Sequence, residues 1–171
     1  ERVLLTRQEL LGELVVTLGG RAAETVIFGD PSTGAEDDIG RATSIAQNLA
    51  GRYGMSERVG PVRLLETEGS EFLGGSAVPT EIATGTVLAE LHSEIRETIE
   101  AALDLATRTL TANRKTLETV VAALLEHESL EQEVLTEMLG GVPPLKVEFT
   151  PTYDRSNRNG RADLREKVTE S

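Results

Sequence analysis

The chain has 171 residues and a formal charge of −12, with no cysteine, no tryptophan, two tyrosines and three phenylalanines. That length fits one ordinary domain with an appendage and is too short for two full-sized domains. The acidic balance argues against a nucleic-acid partner and against adsorption to an anionic membrane surface, since both need clustered Lys and Arg. The lack of cysteine excludes disulfides, thiolate zinc sites and a cysteine nucleophile. With so few aromatics, the core has to be built from Leu, Val, Ile and Ala, which suits helix-on-helix packing. No apolar run reaches the roughly 18 residues of a membrane span, and the first residues do not read as a signal peptide. This segment is therefore expected to be soluble, without direct membrane contact.

The first helix is announced by a capping box, Thr6-x-x-Glu9. Leu10, Leu11, Leu14, Val15, Leu18, Ala22 and Val26 continue it at helical spacing, and Gly29-Asp30-Pro31 ends it. Gly19-Gly20 inside the stripe weakens the helix by about 1 kcal/mol per glycine relative to alanine, and implies a close approach by another helix or loop. A second capping box, Thr33-x-x-Glu36, opens a helix from Ala35 to Tyr53 with Ile39, Ala42, Ile45, Ala46, Leu49 and Tyr53 as its apolar positions. Residues 60–76, rich in glycine, read as a loop or small hairpin. A long helix is predicted over 80–110, with Leu91, Ile95, Ile99, Ala102 and Ala106 in register. Asn113 interrupts, Leu117 to Leu125 form another amphipathic helix, and Ser129-x-x-Gln132 caps a last one over 130–139. Beyond Gly140-Gly141 the periodicity stops. The fold class is thus an all-α bundle of about five helices with a short irregular or hairpin insertion. Residues 1–139 form the helical segment, and 140–171 are expected to be a disordered tail.

Chemistry is sought first in Glu36-Asp37-Asp38. With each residue turning about 100° around a helix, Asp38 falls about 55° from the centre of the apolar face and Asp37 about 155° away, towards solvent. Asp38 is the carboxylate expected to be partly buried, where it needs a cation, a metal or several donors. The alternative is that first-turn acids simply favour the helix macrodipole. His92 and His127 read as solvated helix residues. No Gly-Lys-Ser/Thr sequence is present, so nucleotide binding by this chain is not expected.

Four blocks stand in order along the chain: Leu5-Thr6-Arg7-Gln8-Glu9-Leu10; Leu18-Gly19-Gly20-Arg21-Ala22-Ala23-Glu24 with Ile27-Phe28-Gly29; Ser32-Thr33-Gly34-Ala35 through Asp38 with Arg41-Ala42-Thr43; and Tyr53-Gly54-Met55-Ser56-Glu57 with Val59-Gly60-Pro61. Phe72-Leu73-Gly74 and the Leu110-Thr111-x-Asn113-Arg114 junction add to them. In their order and spacing the chain resembles the FtsH family of ATP-dependent zinc metalloproteases. The similarity covers residues 1 to 139. It implies that Asp38 is the third ligand of a zinc site whose two histidines belong to a His-Glu-x-x-His helix, with the glutamate of that motif as general base. That helix would precede Glu1, and an ATPase module would lie further upstream; ATP enters only through that module. Neither His92 nor His127 has a partner at i+4.

The resemblance further implies a membrane-anchored hexamer with this segment on the cytoplasmic side, acting on unfolded or membrane proteins. The chain by itself is expected to be inactive, whether it is a fragment or a shortened relative. Glu24 is a candidate for orienting a ligand histidine, or else a structural acid, and Thr25 stands where the family often has a second acid. Arg21 is expected to pair with an acid. The competing reading is a non-catalytic helical assembly or adaptor module.

Overall fold

The computed structural model describes residues 4–68 and 76–148. Within them lie six α-helices and one antiparallel strand pair: α1 (Arg7–Thr17), α2 (Gly19–Phe28), α3 (Glu36–Gln47), β1 (Leu65–Glu68), β2 (Ser76–Pro79), α4 (Gly85–Ala112), α5 (Arg114–His127) and α6 (Gln132–Met138). The all-α expectation holds. The count rises because the first predicted helix is two.

The break falls at Leu18, whose φ of −84° and ψ of −1° leave the helical path between α1 and α2. An apolar stripe continues across the break, so periodicity alone does not reveal it. The two glycines that follow lower the cost of leaving the helix there. The Leu18 side chain is fully buried. α1 begins as expected, with the Thr6 hydroxyl accepting from the Glu9 amide and the Glu9 carboxylate accepting from the Thr6 amide. Gly29, left-handed at φ 81°, ends α2.

The second predicted capping box does not form. Thr33–Ala35 is instead a 3₁₀ turn whose cap is Ser32, and no side chain caps α3 itself. The segment expected to be helical up to Tyr53 finishes as a π-helical turn, Asn48–Arg52. The wider turn carries Tyr53 off the apolar face, leaving it half exposed, which corrects its assignment to that face. Gly51 sits at the centre of the reason. A Cβ there would lie 2.5 Å from Leu65 Cδ1 and 2.6 Å from its Cγ. The Leu64 amide also donates to the Gly51 carbonyl at 2.7 Å, so β1 is laid directly on the π turn. β1 and β2 pair with Leu65 opposite Pro79 and Glu68 opposite Ser76. The expected hairpin is present in these strands; Phe72, Leu73 and Gly74 lie outside the described residues.

α4 starts five residues later than predicted, after an extended Thr84, and Asn113 separates it from α5 as expected. It is the spine of the domain. One apolar cluster gathers Leu10, Leu11, Leu49, Leu64 and Leu65 around Leu91 and Ile95. A second gathers Leu14, Leu18, Ala22, Ala42 and Ile45 around Ala102 and Ala106. Neither α5 nor α6 contains a fully buried residue. α6 begins at Gln132 behind Glu131, without a side-chain cap, so the Ser129 box is not made. Past Gly141 the chain has no regular structure up to Glu148, yet Val147 packs on both clusters and its carbonyl accepts from the Gln8 side chain. The rest of the tail expected to be disordered lies outside the described residues.

One charged side chain enters the core. Glu94, on α4 between Leu91 and Ile95, is 0% exposed. Its carboxylate accepts from the Ser56 hydroxyl, from the Glu57 amide at 3.0 Å and from the Arg58 amide at 3.4 Å. Beside it Arg58 pairs with Glu97, and Arg7 reaches Glu57 at 3.3 Å.

Two substitutions test this frame by denaturant unfolding. Gly51→Ala is expected to lose about 2 kcal/mol by overpacking against Leu65. Glu94→Ala is expected to lose about 3 kcal/mol, because three donors are left without their acceptor. Unchanged unfolding midpoints would contradict both.

Candidate metal centre

The segment from Ser32 to Asp38 is held against one face of α2. Gly20 and Glu24 stand four residues apart on that helix and so project on the same side. At the Glu24 end, the Ser32 amide donates to Glu24 Oε2 and the Ser32 hydroxyl to Glu24 Oε1, both at 2.7 Å. The same hydroxyl accepts from the Gly34 amide at 3.1 Å. At the Gly20 end, a Cβ would lie 3.4 Å from Asp38 Oδ2. The close approach expected of the glycine pair thus exists at Gly20, and its partner is the candidate ligand itself. Gly19 has nothing near it.

Asp38 is half buried and Asp37 exposed, as the helical geometry predicts. Among the described residues the Asp38 carboxylate has no hydrogen bond or ion pair. Glu24, by contrast, has both oxygens committed to Ser32. The Ser32 amide, and after it the Ser32 hydroxyl, hold the Glu24 carboxyl below the usual glutamate range; desolvation opposes them, and the Arg21 charge one turn earlier adds to them. Arg21 therefore acts on Glu24 electrostatically, within its own helix. Arg41, from the family-like block after Asp38, pairs with Glu13 at 2.7 Å and ties α3 to α1. His92 and His127 are exposed, on α4 and α5.

Zinc accepts carboxylate oxygen, but its sites take at least three protein ligands. Among the described residues no three His, Cys, Asp or Glu side chains come together for a metal. Asp38 thus has no pair of further ligand side chains gathered with it among the described residues. No helix among them is long and apolar enough to cross a membrane.

The roles of two residues here escaped the sequence reading. Ser32 is visible in the sequence only as the first residue of its block, because its link to Glu24 spans eight positions across a turn and has no periodic signature. Glu94 had a signal: a charged residue one turn from Leu91, on the buried face of α4.

The family model described as Peptidase family M41 matches residues 1–138, and the chain belongs to that family. Among its relatives, the "ATP-dependent zinc metalloprotease FtsH" of Methylibium petroleiphilum is 39% identical over 144 residues, covering 83% of this chain and 23% of the relative. The FtsH of Burkholderia pseudomallei is 38% identical over 167 residues, covering 94% and 24%. That of Rhodococcus erythropolis is 39% identical over 142 residues, covering 83% and 17%. The chain thus spans less than a quarter of the length of these relatives.

The depressed pKa of Glu24 has a measurable consequence. A carboxylate whose folded pKa lies below its unfolded value stabilises the fold above the unfolded value, and that contribution disappears as pH falls through the folded one. The Glu24–Ser32 contribution is therefore expected intact at neutral pH and to be lost only below the ordinary glutamate value of 4.5. The Ser32 amide proton shift, followed by NMR from pH 7 downward, should titrate below 4.5 and lose that step in Glu24→Gln.

Proposed function

We propose that this chain is the C-terminal part of the peptidase domain of an ATP-dependent zinc metalloendopeptidase, and that Asp38 supplies one of its zinc ligands. The observation that carries this reading is the Asp38 carboxylate itself. It is half buried against Gly20 and unpartnered among the described residues, whereas the neighbouring Asp37 faces solvent. A carboxylate with both oxygens uncommitted among the described residues is available to a cation. Family membership and the printed names of the relatives support zinc as that cation.

The remaining ligands are two histidines of a His-Glu-x-x-His helix that precedes Glu1, and the glutamate of that helix is the general base. Bound zinc supplies a water of lowered pKa and polarises the scissile carbonyl. The part of this chain is to offer the Asp38 oxygen, to keep it at the surface of α2, and to provide the helices on which the centre is built. The whole enzyme is a membrane-anchored homo-hexamer with this domain on the cytoplasmic side. It degrades unfolded or membrane proteins handed on by an ATPase module that this chain does not contain. The 171-residue chain alone neither holds zinc nor cleaves protein.

Zinc titration tests the reading. The chain extended upstream to include a His-Glu-x-x-His helix is expected to bind zinc, and Asp38→Ala to weaken that binding by at least about 100-fold, the upper end of what outer-sphere changes cost. The chain alone should leave casein intact. Unaltered zinc affinity in Asp38→Ala would remove Asp38 from the site. Extended protein that binds no zinc would favour the non-catalytic assembly module.

A further inference from the structure

We infer that Glu24 is a positioning residue for Asp38, acting through Ser32: its carboxylate clamps the turn that starts α3 and so sets where the Asp38 oxygen lies over Gly20. The functional weight of this inference rests on the reading of Asp38 as a metal ligand; the clamp itself does not.

The argument is geometric. Five residues lie between Ser32 and Asp38, and the stretch contains one 3₁₀ turn and the start of α3. Neither turn has a side-chain cap of its own apart from Ser32. The segment is held by the buried Ala35 on its apolar side and by Glu24 on its polar side. The two Glu24 oxygens take the amide and the hydroxyl of the same residue, a two-point grip that fixes Ser32 in orientation as well as position. The hydroxyl relays the grip onward by accepting from the Gly34 amide. Gly34 packs close to the clamp: a Cβ there would come to 3.2 Å from Ser32 Oγ, which would have to give by a few tenths of an ångström. One turn back along α2, Gly20 leaves the space that the Asp38 carboxylate borders. A single helix face therefore carries both the clamp and the resting place of the ligand, and a rigid four-residue spacing separates them.

Both oxygens of this carboxylate already accept from Ser32, which ties it to the segment that carries Asp38. Glu24 thus serves the centre from the aspartate side, by locating the ligand. The chemistry demanded of position 32 is a hydroxyl that donates and accepts at once, which Ser and Thr provide and Ala does not.

The test uses the 171-residue chain and three variants, read by amide hydrogen exchange and by the nuclear Overhauser contact between Gly20 Hα and Asp38 Hβ. In Glu24→Gln, whose amide nitrogen cannot accept, and in Ser32→Ala, the Ser32 and Gly34 amides are expected to exchange about tenfold faster or more. The Gly20–Asp38 contact should weaken, while exchange in α4 stays unchanged. Ser32→Thr should retain protection and contact. Persistence of the Gly20–Asp38 contact in Glu24→Gln would overturn the inference, as would equal losses in Ser32→Thr and Ser32→Ala. Loss confined to proportion with global unfolding would overturn it too. Asp38→Ala should leave Gly34 protection intact, so a failed clamp and a failed ligand assignment give different results.

Discussion

The architecture hangs on a carboxylate that has no contact with water. A buried charge is tolerated only where donors replace its hydration, and Glu94 finds three of them in one turn, at Ser56, Glu57 and Arg58. That turn follows the π-helical end of α3 and leads into β1. Fixing it to the middle of α4 therefore fixes the end of α3 and the start of the hairpin together. The buried Ser56 hydroxyl also accepts from the Val59 amide at 2.9 Å, so the turn is tied to itself as well as to the spine. Leu91 and Ile95 flank the carboxylate with apolar surface, which keeps competing water away and strengthens each of these bonds.

Much of this was legible in the residues. The stripe through Leu91, Ile95, Ala102 and Ala106 announced α4, and a rotation of 100° per residue singled out Asp38 over Asp37 before any contact was known. What stayed hidden has a common physical character. The break at Leu18 leaves the apolar stripe intact on both sides, so the pattern that reports a helix also conceals its interruption. The π turn at Asn48–Arg52 carries a bare Cα at Gly51 against Leu65 of β1, a tertiary contact that no local propensity encodes. Thr33-x-x-Glu36 had the letters of a capping box, but Ser32 took the role because Glu24 was there to hold it. Local motifs name the groups able to make a bond, and the fold decides which of them do.

The two ends of the described chain are built differently. From α1 to α4, buried leucines and alanines form two clusters joined along one spine. α5 and α6 extend from that body with half-covered apolar faces, including an exposed Leu125. Val147, further along, returns to the body and packs beside α1. The helical segment and the start of the proline-containing stretch are thus one packed unit up to that point, although composition changes abruptly at Gly140-Gly141.

The bare Cα of Gly51 has a structural consequence. α3 is a rod about 18 Å long with Asp38 in its first turn, and the π turn that continues it is keyed to Leu65 of the hairpin. The leucine fills the notch that the missing side chain leaves. The hairpin and the turn that carries Asp38 therefore sit at opposite ends of one continuous helical element, so a side chain at position 51 would disturb the packing at the end remote from Asp38.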